Sequence, residues 1–391
     1  FFFARNPIVG NNTATILPKI VNKILRGFPW PNSQRWGEGK QRWVRPLHRI
    51  NLLFDGKLVE GEFEYGEGQF IPFGAKSCGH YFEAPWDVNL LGVDSLDTFK
   101  RLLKKAYVVI DTDERETIIT EEANKLAKKK SCRISTRHST GYLNEVSGLV
   151  EWPCALIGEI DHQFMMLPPE VLQVAIATHQ KYITLEYDSG EFSPFFVVVS
   201  NRLSDKTRDK RIIKGNQRVL RARLSDAEFF WKQDTSRPLE SYINALRDVT
   251  FYQGLGSIYD KTKRLQSLVE KITPYVVGAD VQVTLRTAKL SKADLVTSMV
   301  REFPELQGVV GGYYARASGE KDQVSEAISE HYRPQGAKDE LPSSPEAIIV
   351  SLADKLDTLT GFFCIGVKPT GSKDPFALRR AALGVIRIII D

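Results

Sequence analysis

The densest run of chemistry-bearing residues in this 391-residue sequence lies between Arg202 and Arg223. Arg202, Lys206, Arg208, Lys210, Arg211, Lys214, Arg218, Arg221 and Arg223 stand against only Asp205 and Asp209, a local charge of +7. A cluster of this kind neutralises phosphates and releases their counterions, so it points to nucleic-acid contact. At helical spacing Lys214, Arg218 and Arg221 fall along one side, while Leu220 and Leu224 face elsewhere. The competing use of these arginines and of Arg223 is structural. Asp226, Phe229 and Phe230 are near enough in sequence to hold a guanidinium in an ion pair or a stack.

A second set of cations sits near the end. Arg379, Arg380 and Arg387 follow Asp374-Pro375 on a stretch whose other positions, Phe376, Ala377, Leu378, Leu383, Val385 and Ile386, are apolar nearly all round. Such a helix is mostly buried, which favours structural ion pairs or a subunit contact for Arg379 and leaves RNA contact by Arg379 and Arg380 as the other use. His179 with Lys181, and His80 beside Cys78, suggest a nucleophile and base only superficially. No third orienting group is readable at either place, so both read as structural histidines. Cys78, Cys132, Cys154 and Cys364 lie far apart with no CxxC pair, which suggests neither a zinc knuckle nor a disulfide framework.

These groups must be carried by two different kinds of chain. Arg49 to Phe54, Asp55-Gly56, and Lys57 to Glu64 read as a hairpin about a tight turn. Leu96 to Ala106 has helical spacing, Val108 to Ile110 reads as a buried strand, and a helix capped by Asp111 or Thr112 runs to about Lys130. Strands resume at Ala155 to Gly158 and Phe195 to Ser200. After about Asn201 the pattern turns helical: Gly215 to Lys232, Pro238 to Arg247, Ile258 to Ile272, Lys292 to Phe303 and Ser344 to Gly361 carry apolar residues three and four apart. Asp374-Pro375 reads as a helix start and Gln335 to Pro345 as an exposed loop. The expected fold class is multidomain, with an α/β or α+β half followed by an all-helical half, divided near residues 200–205.

Composition bounds the class of protein. Hydrophobic residues make up 42% and charged residues 26%, a balance that excludes disorder and fibrous repeats. The longest apolar runs, Phe195 to Val199 and Val385 to Ile390, fall far short of the roughly 20 residues needed to cross a bilayer. The opening Phe1-Phe2-Phe3 lacks an initiator Met, and the sequence stops inside an apolar pattern, so a fragment is expected.

Nine stretches together resemble the β subunit of the heterotetrameric, bacterial-type glycyl-tRNA synthetases. They are Arg42 to His48, Glu145 to Pro153, His179 to Tyr182, Gly215 to Ala227, Lys292 to Leu295, Glu302 to Gly308, Glu330 to Tyr332, Ala353 to Asp357 and Gly371 to Arg380. Each is weak alone; their colinear order carries the resemblance. It implies a chain that binds and positions tRNA(Gly), while a separate or fused α subunit holds glycine, ATP and Mg in a class II catalytic fold within an α2β2 assembly in the cytoplasm. It further implies an N-terminal segment (1–45), an α/β tRNA-handling domain (46–203) and a helical domain (204–391), with an anticodon-binding module beyond the last residue. No P-loop, Rossmann or class II nucleotide signature is readable, so catalysis and cofactors are not expected in this chain itself. No editing pocket of the kind found in phenylalanyl-enzyme β subunits maps onto it residue by residue.

The helical half also resembles the HD superfamily of metal-dependent phosphohydrolases, which use a His, an adjacent His-Asp pair and a later Asp. Here Tyr332 follows His331 where the pattern needs Asp, while Asp354 suits the later Asp. Too few ligands remain for a secure metal site. The expectation is a degenerate HD-like scaffold without metal. An HD-type hydrolase and an assembly scaffold without RNA contact are the alternatives.

Overall fold

In the computed structural model, Asp55 and Gly56 turn the chain with φ of 51° and 69°. Strands Leu53–Phe54 and Lys57–Leu58 pair antiparallel across that turn, with Leu53 opposite Leu58, as a two-residue turn with both central φ positive requires. Residues 10–369 and 374–391 are described. The Phe1-Phe2-Phe3 run and the Gly371 to Lys373 part of the last resembling stretch lie outside them. The chain divides into two units, residues 1–157 with 197–213 and residues 158–196 with 214–391.

In the first unit a small sheet runs Ile50–Asn51, Gln69–Gly74, Glu62–Gly66. Ile50 pairs parallel with Phe73, and Phe63 pairs antiparallel with Ile71. Alternation puts Phe63, Ile71 and Phe73 on one buried face, which Val21 and Leu25 of helix Thr13–Gly27 help to cover. A second core joins Ala84, Val88 and Leu90 to Leu103 and Ala106 at the end of helix Leu96–Lys105. Helix Thr112–Lys128 starts where the sequence places it, with the Asp111 carboxylate accepting from the amides of Asp113 and Glu114. Val108 to Ile110 is not a strand. The Arg115 guanidinium donates to Val109 O at 2.5 Å and Ile110 O at 2.8 Å, and the Val109 amide makes a single bond to Glu151 O at 2.9 Å.

Strand Ile183–Glu186 lies in the second unit, while strands Pro153–Glu159 and Phe192–Asn201 are each divided by the boundary, after residues 157 and 196. A Cβ on Gly158 would lie 2.5 Å from Phe196 Cζ. Phe196 is itself stacked on Tyr182 at 5.1 Å between centroids, so it has nowhere to retreat. Gly158→Ala is expected to cost about 1–3 kcal/mol by overpacking, read as a lower urea midpoint with unchanged slope.

Helix Ile258–Ile272 opens with a capping box between Ser257 and Asp260. It packs with Val281–Leu290 and Pro345–Cys364 around Leu265, Val269, Ala288, Ile349, Val350 and Ala353. The second half is not wholly helical. Thr250–Tyr252 and Gly256–Ser257 form a hairpin, permitted by positive φ at Gly254 and Gly256. The helix expected over Lys292 to Phe303 breaks into a 3₁₀ turn, Ala293–Val296, and a short helix, Ser298–Glu302. Asp374 does cap a helix, accepting from the amides of Leu378 and Arg379, but the helix begins at Leu378 rather than at Pro375.

Candidate nucleic-acid interface and a buried charged centre

The basic run becomes the first half of a 30-residue helix, Lys206–Thr235. Leu220, Leu224 and Ala227 face the core of the second unit, so the opposite side of the helix is left to solvent. Four of the nine cations are drawn into ion pairs. Arg202 and Arg208 meet Glu83 at 2.8 and 2.7 Å. Arg221 grips Asp161 with two bonds of 2.5 and 3.0 Å, and Arg223 meets Glu302 at 2.8 Å. The structural partners of Arg221 and Arg223 are thus remote carboxylates rather than the neighbouring Asp226. Lys206, Lys210, Arg211, Lys214 and Arg218 are exposed and have no ion pair among the described residues. Lys214 and Arg218, four residues apart, lie along one side of the helix within the second unit.

The second cluster is buried. His331 is wholly inaccessible, and its Nδ1–H donates to Ile328 O at 2.6 Å. That bond fixes the tautomer, so Nε2 is the acceptor facing the Lys292 ammonium at 2.9 Å. Lys292 also meets Asp354 Oδ2 at 3.2 Å and lies 3.8 Å from the centroid of the Tyr332 ring. Lys261, equally buried, meets Asp354 Oδ1 at 3.0 Å and Asp357 Oδ2 at 3.1 Å. Arg264 holds Asp357 with two further bonds. Lys355 spends its donors on Tyr332 O, Arg333 O and Ser351 Oγ.

The electrostatics follow from this packing. Burial lowers Lys292 and Lys355 each to about 8 and pushes His331 well below its usual range, with the Lys292 charge adding to the effect. Burial also opposes ionisation of Asp354, yet the ammoniums of Lys261 and Lys292 outweigh it and hold that carboxyl far below the ordinary range. Asp294, buried and accepting from the Gly308 amide, is raised to about 6 by desolvation. A metal ion would need the His331 Nε2 lone pair and the Asp354 carboxylate; both are engaged by ammonium groups. Among the described residues no three His, Cys, Asp or Glu side chains converge as a metal set.

Comparison with known proteins decides the family. The model of the glycyl-tRNA synthetase β subunit matches residues 1–391. The chain belongs to the glycyl-tRNA synthetase β-subunit family. Proteins named glycine–tRNA ligase β subunit from Rhodospirillum centenum and Phenylobacterium zucineum are each 44% identical over the whole chain. One from Paracoccus denitrificans is 44% identical over 97% of it. The chain spans 57%, 57% and 55% of those relatives, little more than half their length.

Within this member of the β-subunit family, the site residues read from sequence fall into three places. Lys214, Arg218, Arg221 and Arg223 share the long basic helix, the first two without an ion pair among the described residues and the last two in ion pairs. His331 and Asp354 are brought together in the buried centre, bridged by Lys292. Arg379 and Arg380 lie exposed on the last helix. Arg380 lines a cleft of about 380 Å³ whose wall includes Tyr332, Asp354, Lys355 and Phe376. His179 stands 3.7 Å from Glu305 and edge-on to Phe303, and His80 is fully buried. Sequence reasoning missed Lys261 and Lys292 as partners of the centre. The available signal was Lys292 itself, a cation next to Ala293 and Leu295 in one of the resembling stretches. Among the described residues no helix is long and apolar enough to cross a membrane.

Proposed function

We propose that this chain is the tRNA-handling part of a glycyl-tRNA synthetase β subunit, which binds tRNA(Gly) and positions it for ATP-dependent glycylation at an α-subunit active site in a cytoplasmic α2β2 enzyme. Family membership supports the role. The pair Lys214 and Arg218, exposed and without an ion pair among the described residues, is the observation that carries RNA contact, because such cations remain available to phosphates. ATP and Mg belong to the α subunit in this reading, and the chain holds no cofactor of its own. The helical part is a degenerate HD-like scaffold in which His331 and Asp354 are joined by an ammonium nitrogen instead of a metal ion. Metal analysis of the purified chain tests this point directly; a stoichiometric divalent metal would favour the hydrolase alternative.

The division of labour is tested by measuring glycylation of tRNA with this chain alone, with a matching α subunit alone, and with both. Activity only in the mixture is expected, and glycine-dependent ATP–pyrophosphate exchange by this chain alone would overturn the reading. RNA contact has its own test. Lys214→Gln combined with Arg218→Gln should weaken tRNA binding equally for cognate and non-cognate tRNA, since phosphates carry no base identity. The slope of log affinity against log salt should become shallower by about 1.4–1.8, at roughly 0.7–0.9 for each lost phosphate contact, with an unchanged thermal melt. Arg221→Gln combined with Arg223→Gln breaks two exposed ion pairs, each contributing about 0–1 kcal/mol, and should lower the melt slightly. An unaltered salt slope in the first pair removes Lys214 and Arg218 as the phosphate contact.

A further inference from the structure

We propose that the loop from Gly79 to Trp86 in the first unit is a stacking platform for unpaired nucleotides of a bound RNA; the inference rests on the RNA-handling role above. Tyr81, Phe82 and Trp86 are 79%, 60% and 56% exposed, three large aromatic side chains within six residues. Exposed aromatics clustered in this way are costly to leave in water and mark a binding surface. They alternate with anchors: His80 and Ala84 in the same loop are completely buried.

The loop is held rigid beneath those rings. The Gly79 amide donates to Trp86 O at 3.2 Å, the Ala84 amide to His80 O at 2.9 Å, and the His80 amide to Ala106 O at 2.9 Å. A Cβ on Gly79 would stand 2.5 Å from Ala84 O, so the closure requires glycine. His80 acts as an internal staple. Its Nδ1 accepts from the amides of Phe82 and Glu83 at 3.3 and 3.2 Å, and its Nε2–H therefore donates to Asn201 O at 3.1 Å. Every polar function of the imidazole is committed to shape, which accounts for a buried histidine without a catalytic role. A platform whose backbone is already fixed loses little further freedom on binding.

Charge selects the occupant. Arg202 lies 4.4 Å from the Phe82 centroid and bonds to Glu83, which also holds Arg208. The platform is thereby tied to the start of the basic helix, where Lys206, Lys210 and Arg211 are exposed without ion pairs among the described residues. Exposed aromatic side chains beside backbone-tracking cations are the arrangement that binds single-stranded nucleic acid: bases stack and phosphates pair. An acidic or apolar protein surface would use the cations or the rings, but not both.

The test compares binding of this chain to single-stranded oligoadenylate, to a blunt RNA duplex of equal length and to tRNA(Gly), with intrinsic tryptophan fluorescence as one readout. Tyr81→Ala combined with Trp86→Ala should weaken oligoadenylate binding about 5- to 100-fold for each stacked base lost. Duplex binding, its salt slope and the thermal melt should be unchanged, because the replaced side chains are exposed. Tyr81→Phe with Trp86→Phe should retain most of the affinity, since stacking needs only the ring. Equal binding of oligoadenylate by parent and alanine variant would overturn the platform while leaving the salt-slope test of Lys214 and Arg218 to stand separately. Loss of α-subunit association with RNA binding intact would also overturn it, and would make the aromatics a protein contact. If the parent binds no RNA at all, both this inference and the RNA-handling role fall.

Discussion

Asp354→Ala should destabilise the helical part of the chain by about 3–5 kcal/mol, the usual result of removing one partner from a buried ion pair. Asp354 is the carboxylate that Lys261 and Lys292 share, at 3.0 and 3.2 Å. Without it Lys292 is left against the neutral His331 and the Tyr332 ring. At about 3 °C per kcal/mol for a unit of this size, the melt should fall by roughly 10 °C.

The pH dependence gives the effect a sign. Lys292, lowered to about 8, sits below its unfolded value, so above pH 8 the unfolded chain binds more protons than the folded one. Stability from this group therefore rises with pH between about 8 and 10.5. Loss of Asp354 lowers the folded value further, so the deficit of the variant should be largest in mild acid, narrow as the pH rises to about 8, and stay level above it. The Asp354 contribution has the same sign in a lower window: its folded pKa is depressed, so it is fully present above about pH 4 and lost only in strong acid. Asp354→Asn combined with Lys292→Met should recover part of the loss, because two absent charges cost less than one unpaired charge. A variant melting within about 2 °C of the parent would mean that the centre is hydrated rather than sealed.

Asp234→Ala is expected to cost about 3–4 kcal/mol by a different route, the stranding of buried donors. Asp234 is only 2% exposed. Its carboxylate accepts from the amides of Ser298 and Met299 at 3.0 and 2.9 Å and from the hydroxyls of Tyr314 and Tyr242 at 3.0 and 3.4 Å. Two of these donors are orphan amides at the start of helix Ser298–Glu302. Urea unfolding should show the loss, and hydrogen exchange should show Ser298 and Met299 losing protection ahead of the surrounding helices. Asp234→Asn keeps one acceptor oxygen and should cost about half as much. Equal exchange at those two amides in parent and alanine variant would show that the short helix does not depend on Asp234.

Several elements were legible in the sequence because their causes are local. The Asp55-Gly56 turn needs only two residues that tolerate positive φ, and helix Ile258–Ile272 needs only its apolar spacing and the Ser257–Asp260 cap. The basic helix was legible for the same reason, since the charge of a run is a property of adjacent residues. What each cation does was not. Arg221 and Arg223 are engaged by Asp161 and Glu302, 60 and 79 positions away, while Arg218, between them and Lys214 on the same helix, has no such partner among the described residues. Val108 to Ile110 has the composition of a strand, and Arg115 bonds the carbonyls of Val109 and Ile110. Lys292 to Phe303 has the period of one helix, and Asp234 caps a second helix inside it from 64 positions upstream. Lys261, Lys292, His331 and Asp354 became a single centre only when four separate segments packed together. Hydrogen-bond and charge partners are chosen by distance in space, so periodicity and turn chemistry set the elements, and the tertiary structure alone decided which polar groups are spent inside the protein and which are left for a ligand.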